Sequence, residues 1–207
     1  MKKSLCILIL SIVSITTFGQ VIPKGTRFIG GDLSFNFLSV QEDGVMEGNS
    51  IQLGVSPAYT QFVKDNFSIT YVLGYNIQST GTRTSFNNQF YSAATHTVSA
   101  GVRFANYKMI SDKLGLSVQY GGQVGYLFNT ISRDIAQGNN VQGVTLGINA
   151  GPGIIYLLNE KFAIEGTASI INLNVAYSWI DNDNIINVGT GLSASPGLGI
   201  GFRYFLK

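Results

Sequence analysis

The sequence predicts an all-β fold, an eight-stranded antiparallel up-and-down transmembrane β-barrel behind a cleavable signal peptide. Three observations predict it. Apolar and small or polar residues alternate with period two along eight segments, the pattern of strands with two unlike faces. Only 12% of the 207 residues are charged, against roughly 25% in an average soluble domain, while glycine (25 residues) and aromatics (12%) are abundant. Beyond the N-terminus no run reaches the about 18 apolar residues that a membrane-spanning helix needs.

Residues 1–19 read as a secretory signal. Lys2 and Lys3 form its positive start, residues 5–15 its apolar stretch, and Thr17-Phe18-Gly19 supplies a small residue at the expected cut. Residues 20–207 are then the barrel domain. Losing the two lysines takes the formal charge from +2 to zero, so nothing in the charge points to nucleic acid as a partner. The single cysteine, Cys6, leaves with the leader. The mature chain then has neither disulfides nor thiolate metal ligands.

Strand one is expected over about residues 26–38, with Ile29, Leu33, Phe35 and Phe37 on one face and Gly30, Asp32, Ser34 and Asn36 on the other. A polar, acidic loop covers 39–49. Strand two, about 50–63, ends at the tight turn Lys64-Asp65-Asn66. Strand three, about 67–78, alternates most regularly: Phe67, Ile69, Tyr71, Leu73, Tyr75 and Ile77 take every second place. A loop rich in Thr, Ser and Asn follows at 79–93. Strand four, about 95–107, leads into the turn Ser111-Asp112-Lys113, and strand five runs over about 114–128. After loop 129–140 comes strand six, about 141–158, closed by the turn Asn159-Glu160-Lys161. In strand seven, about 162–177, the alternation slips near Ile170-Ile171, which predicts a β-bulge. Loop 178–190 leads to strand eight, residues 191–207, whose apolar face carries Leu198, Ile200, Phe202, Tyr204 and Leu206 opposite a face of mostly Gly and Ser. Tight turns alternate with long polar loops, as in up-and-down membrane barrels.

Proline recurs at matched places, in Ser56-Pro57-Ala58, Gly151-Pro152-Gly153 and Ser195-Pro196-Gly197. Proline cannot donate to a ladder, so each predicts a bulge or weakened pairing.

Alternation alone does not say which face is outside. In a soluble barrel the polar face would meet water and carry Lys and Glu. Here it is Gly, Ser, Thr, Asn and Gln. The four charges well inside strands, Asp32, Arg103, Glu165 and Arg203, all fall on the non-apolar parity. A basic residue on the lipid face costs about 2–4 kcal/mol at the midplane, so lipid is expected on the apolar side. Two acids and two bases then share a narrow bore, where pairing offsets their burial. They are expected to form a structural charge cluster low in the barrel that plugs the lumen. Aromatics gather at two levels, Phe67, Phe104, Phe162, Phe202 and Tyr204 near the tight turns, and Phe37, Tyr75, Tyr126, Phe128 and Tyr177 near the long loops. These read as interfacial girdles.

Catalytic signals are weak. The only histidine, His96, has Ser99 nearby, but opposite parity sends them to opposite faces, and a nucleophile needs its base within reach. His96 reads as a rim residue. The loop acids Glu42, Asp43 and Glu47, and Asp181 and Asp183, match no EF-hand loop. No catalytic, metal or cofactor site is assigned, and the chain is expected not to be an enzyme.

With its leader, its eight strands and the closing segment Gly201-Phe202-Arg203-Tyr204-Phe205-Leu206, the chain resembles the small outer-membrane β-barrel proteins of Gram-negative bacteria, of the OmpA-barrel, OmpX and OmpW type. The terminal Lys207 departs from the aromatic ending common there. The resemblance implies export, insertion by the barrel assembly machinery, and outer-membrane lipid and lipopolysaccharide as surroundings. It implies a non-enzymatic protein whose long loops serve surface interaction or envelope integrity. A narrow conduit for small hydrophobic solutes is the alternative, and a lipid-modifying enzyme a third.

Overall fold

The computed structural model describes residues 21–42, 45–83, 90–131, 141–180, 183–191 and 197–206. Their strand segments are β1 (Arg27–Glu42), β2 (Val45–Lys64), β3 (Phe67–Arg83), β4 (Phe90–Met109), β5 (Leu114–Ile131), β6 (Val141–Leu157), β7 (Phe162–Ser169), β8 (Ile171–Ile180), β9 (Asp183–Gly191) and β10 (Gly197–Leu206). Each segment pairs antiparallel with its neighbour, and the β1–β10 and β5–β6 ladders close the sheet. Both β7 and β8 pair with β6, so they are two halves of the seventh barrel strand. Likewise β10 pairs with β7 and β9 with β8, which makes them the eighth. The result is a closed eight-stranded up-and-down barrel.

Side-chain direction settles the faces. Leu33, Leu73 and Ile200 are 57%, 64% and 55% exposed on the outer wall, whereas Glu165 and Arg203 are 1% and 2% exposed within. The apolar residues form an outer belt. Tyr75, Tyr126 and Tyr177 lie in one register row around it, through Val98 and Val144. Near the tight turns, the ring pairs Phe104–Tyr120 and Phe162–Tyr204 lie 5.5 and 5.2 Å apart. From Phe67 to Ile77, ten residues rising about 3.3 Å each along a strand tilted about 40° span about 25 Å, the height of a hydrocarbon band.

The hairpin ends differ from the sequence reading. The segments expected as loops 39–49, 79–93 and 178–190 are largely strand, since β1 runs to Glu42, β2 starts at Val45, β3 runs to Arg83, β4 starts at Phe90 and β9 occupies Asp183–Gly191. Apolar alternation stops where hydrocarbon stops. Backbone pairing does not, because Thr, Ser and Asn pair in water as well. The tight turns stand where the sequence places them. Asn66 takes the left-handed conformation (φ 58°), which asparagine tolerates. Asn159 Oδ1 accepts from the backbone N–H of Lys161 and Phe162 at 2.8 and 3.0 Å.

The slip at Ile170-Ile171 is a bulge. β6 pairs Gly153 with Thr167 but Ala150 with Ile171, so Gly151 and Pro152 face three residues, Ala168 to Ile170. The Ile170 N–H bonds to Ala150 O at 3.0 Å. Beyond the bulge the outward parity moves from even to odd numbers, and Leu173, Val175 and Tyr177 continue the belt. The β2–β3 ladder leaves Ser56 and Pro57 unpaired but keeps its register across them, a weakened pairing without a bulge. Pro196 lies outside the described residues.

Candidate functional site in the lower bore

The bore is built upward from the tight-turn end. Its floor is apolar. Phe28, Phe62, Ala105, Tyr107, Met109, Ile155 and Ala163 are buried there, with Leu157 and Phe205 packed against them. Phe28 meets Phe205 edge-on at 4.3 Å and Phe62 at 5.1 Å, and Phe62 meets Tyr107 at 5.4 Å. Residues 21–25 cross below. Ile22 N donates to Asn66 Oδ1 (2.8 Å) and Asn66 N to Ile22 O (2.9 Å). Lys24 N donates to Asp65 Oδ1 and Gly25 N to Phe62 O, each at 2.8 Å. The burying of Ile22 under the floor follows from this strap.

On the floor lies an ionic layer, which brings Asp32, Arg103, Glu165 and Arg203 together. Arg203 is its hub. Its Nε donates to Glu165 Oε2 at 2.9 Å, and its Nη2 lies 2.8 Å from the same oxygen and 2.5 Å from Asp32 Oδ1. Its Nη1 donates to Gly31 O and Phe202 O at 3.2 Å. Arg103 Nη2 holds the other oxygen of Asp32 at 3.2 Å. Glu165 Oε1 accepts from Tyr107 Oη (2.9 Å) and Gln119 Nε2 (2.6 Å), and Gln119 also donates to Ser117 Oγ at 3.0 Å. Opposite charges balance, and every polar atom of Glu165 has a partner, the condition under which buried ions are tolerated. Above the layer is a polar cavity of about 140 Å³ lined by Asp32, Ser56, Arg103, Gln123 and Asn149.

Sequence reasoning missed Tyr107, Gln119 and the floor aromatics Phe28 and Phe62. Their signal was aromatic or amide residues on the inner parity within a few places of a tight turn. His96 is on the outer wall, its Nδ1 2.8 Å from Tyr75 Oη and its ring stacked on Phe128 at 5.1 Å. Ser99 faces the bore, where a Cβ on Gly74 would meet its Oγ. The two cannot form a nucleophile–base pair. Asp43 and Asp181 lie outside the described residues, as do the side chains of Glu42, Glu47 and Asp183. Among the described residues no group of three His, Cys, Asp or Glu gathers.

No family model and no curated protein matches the chain. Solved structures do match. The outer membrane protein OprG from Pseudomonas aeruginosa aligns over 89% of this chain and 97% of its own, at 15% identity and a TM-score of 0.51. A major outer membrane protein from Thermus thermophilus aligns over 88% and 99%, at 8% identity and 0.50. The fold is that of a small outer-membrane β-barrel. In such a barrel the outer apolar belt is the lipid-facing surface, and the inner ions are shielded from hydrocarbon by the wall that carries them.

Proposed function

We propose that this is a non-enzymatic integral outer-membrane protein. Its bore is sealed at the periplasmic end, and its strand-extended hairpins project outward for surface interaction or envelope integrity. The observation that supports it is the two-storey filling of the lower bore, an apolar floor under a charge-balanced ionic layer. Outer-membrane lipid and lipopolysaccharide surround the belt, and the barrel assembly machinery inserts the chain. Planar-bilayer recording tests the seal. The expected result is no steady conductance, and a large steady conductance from the parent protein overturns it. Fractionation of the envelope with a heat-shifted gel band tests the location. Unchanged lipid A mass spectra with and without the gene are expected of a non-enzyme.

A second reading, a conduit for small hydrophobic solutes, is favoured by one observation. The β1–β10 ladder ends at Ser34 and Gly199. Among the described residues, the rest of β1, Phe35 to Glu42, pairs with β2 alone. Beside that end the outer wall holds an apolar hollow of about 660 Å³, lined by Leu33, Phe35, Leu53, Val55, Ile200 and Phe202 among others. A solute would leave sideways there. Uptake of a small hydrophobic dye into vesicles, abolished by a cross-link across the seam, would favour this reading over the first.

A further inference from the structure

The closing strand faces a register problem. β10 turns Ile200, Phe202, Tyr204 and Leu206 to the lipid. A slip of two residues returns oily side chains to oil, so that face does not distinguish the native register from its neighbours. The inner parity is Gly197, Gly199, Gly201, Arg203 and Phe205. Three of these have no side chain, and glycine-rich strands specify register weakly. Among the described residues β1 makes eight residue pairs with β10 and sixteen with β2.

The geometry around Gly201 supplies what the strand lacks. Asp32 of β1 and Glu165 of β7 are the two residues opposite Gly201, one on either side. Arg203, two places on along the same face, folds its guanidinium back over Gly201. A Cβ there would lie 2.5 Å from Arg203 Nη1 and collide with Asp32 Oδ1. The cation is thus held between carboxylates from both flanking strands, 1% exposed and bonded to each. Gly201 and Arg203 together read the position of both neighbours at once.

We infer that Arg203 is the register key of barrel closure. It fixes which residues of β10 stand opposite β1 and β7. A slip of two residues puts Arg203 or Gly199 opposite the carboxylates in place of Gly201 and displaces the guanidinium by about 7 Å, which leaves buried ions unpaired. A slip of one turns Arg203 into hydrocarbon. Phe205 adds an apolar check on the floor, but a ring among rings tolerates more displacement than a guanidinium between two fixed carboxylates.

Cysteine pairs test this in the full chain carrying Cys6→Ser, folded in lipid vesicles. The pair Leu33→Cys/Ile200→Cys joins register partners. Leu33→Cys/Phe202→Cys and Ile29→Cys/Phe202→Cys report slips of two residues in opposite directions. On oxidation the parent is expected to form the native cross-link alone. Arg203→Met is expected to lose that exclusivity, with a slipped-pair product in the folded band, while Arg203→Lys keeps it. Where Arg203→Met gives no folded band, the neutral quadruple variant Asp32→Asn/Arg103→Gln/Glu165→Gln/Arg203→Gln takes its place, since it removes both acids and both bases of the layer. Exclusive native cross-linking in whichever of these folds overturns the inference. Slipped products in Phe205→Ala but in neither Arg203 variant overturn it too, by moving the key to the floor.

Discussion

Replacing Glu165 with alanine removes the acceptor on which three strands converge. Arg203 of β10, Tyr107 of β4 and Gln119 of β5 all bond to it. The layer changes from two acids and two bases to one acid and two bases. Breaking a buried ion pair typically costs about 3–5 kcal/mol. Asp32 still holds Arg203, so about 3 kcal/mol is the relevant end of that range. Gln119 keeps Ser117 as an acceptor, whereas the Tyr107 hydroxyl is orphaned at a cost of about 1 kcal/mol. The expected loss is about 4 kcal/mol, which at an m-value of about 2 kcal/mol/M in urea lowers the unfolding midpoint by about 2 M. The assay is urea unfolding in lipid vesicles, followed through the single tryptophan, Trp179. Glu165→Gln, which keeps an oxygen and loses the charge, should fall between the two. A Glu165→Ala midpoint within about 0.3 M of the parent, at an unchanged m-value, would refute the claim that this network holds the lower bore together.

Other substitutions separate the faces. Gly201→Ala places a methyl against Asp32 and the Arg203 guanidinium, and should destabilise by about 1–3 kcal/mol in the same unfolding assay. Leu73→Arg, in the middle of the belt, should cost about 2–4 kcal/mol in vesicles; a neutral result would mean that this wall does not face lipid. Deleting Ile170 removes the bulge and should send Leu173, Val175 and Tyr177 into the bore, giving no heat-shifted folded band on a gel. A deletion variant that folds with the parent midpoint would show that the bulge does not set the parity of β8.

Strand number, tight turns, the bulge and the orientation of the faces were all legible, because each follows from local alternation meeting a medium with one apolar side. Hairpin length was not. The sequence signals where side chains leave hydrocarbon, and β1 and β2 go on pairing past that level through residues such as Ser39 and Asn49. The four bore charges were legible by parity, since Asp32, Arg103, Glu165 and Arg203 break no alternation. Tyr107 and Phe62 were harder. An aromatic on the inner parity looks like a lapse in the pattern unless it is noticed that the lapses fall at the turn end, where apolar side chains pack together inside the wall. The partners of Glu165 come from strands 46 and 58 residues away, a separation that no local window spans.

The floor constrains the two functional readings unequally. A solute entering the upper bore would meet Asp32 and Arg103 at the base of the polar cavity, with Arg203, Glu165 and the rings of Phe28 and Phe62 beneath. Apolar molecules gain nothing from that descent, because the ionic layer offers them only desolvation of charge. The exit that the conduit reading invokes is beside β1, above Ser34, where the wall is apolar and, among the described residues, the β1–β10 ladder has ended. On that reading, transport requires an open seam and not an open floor. A variant that widens the floor, Phe28→Ala for instance, should leave dye uptake at the parent level even where it destabilises the barrel by about 3–5 kcal/mol. Uptake that rises with the floor variant, and persists with the seam cross-linked, would place the route down the axis and remove the case for a sideways exit.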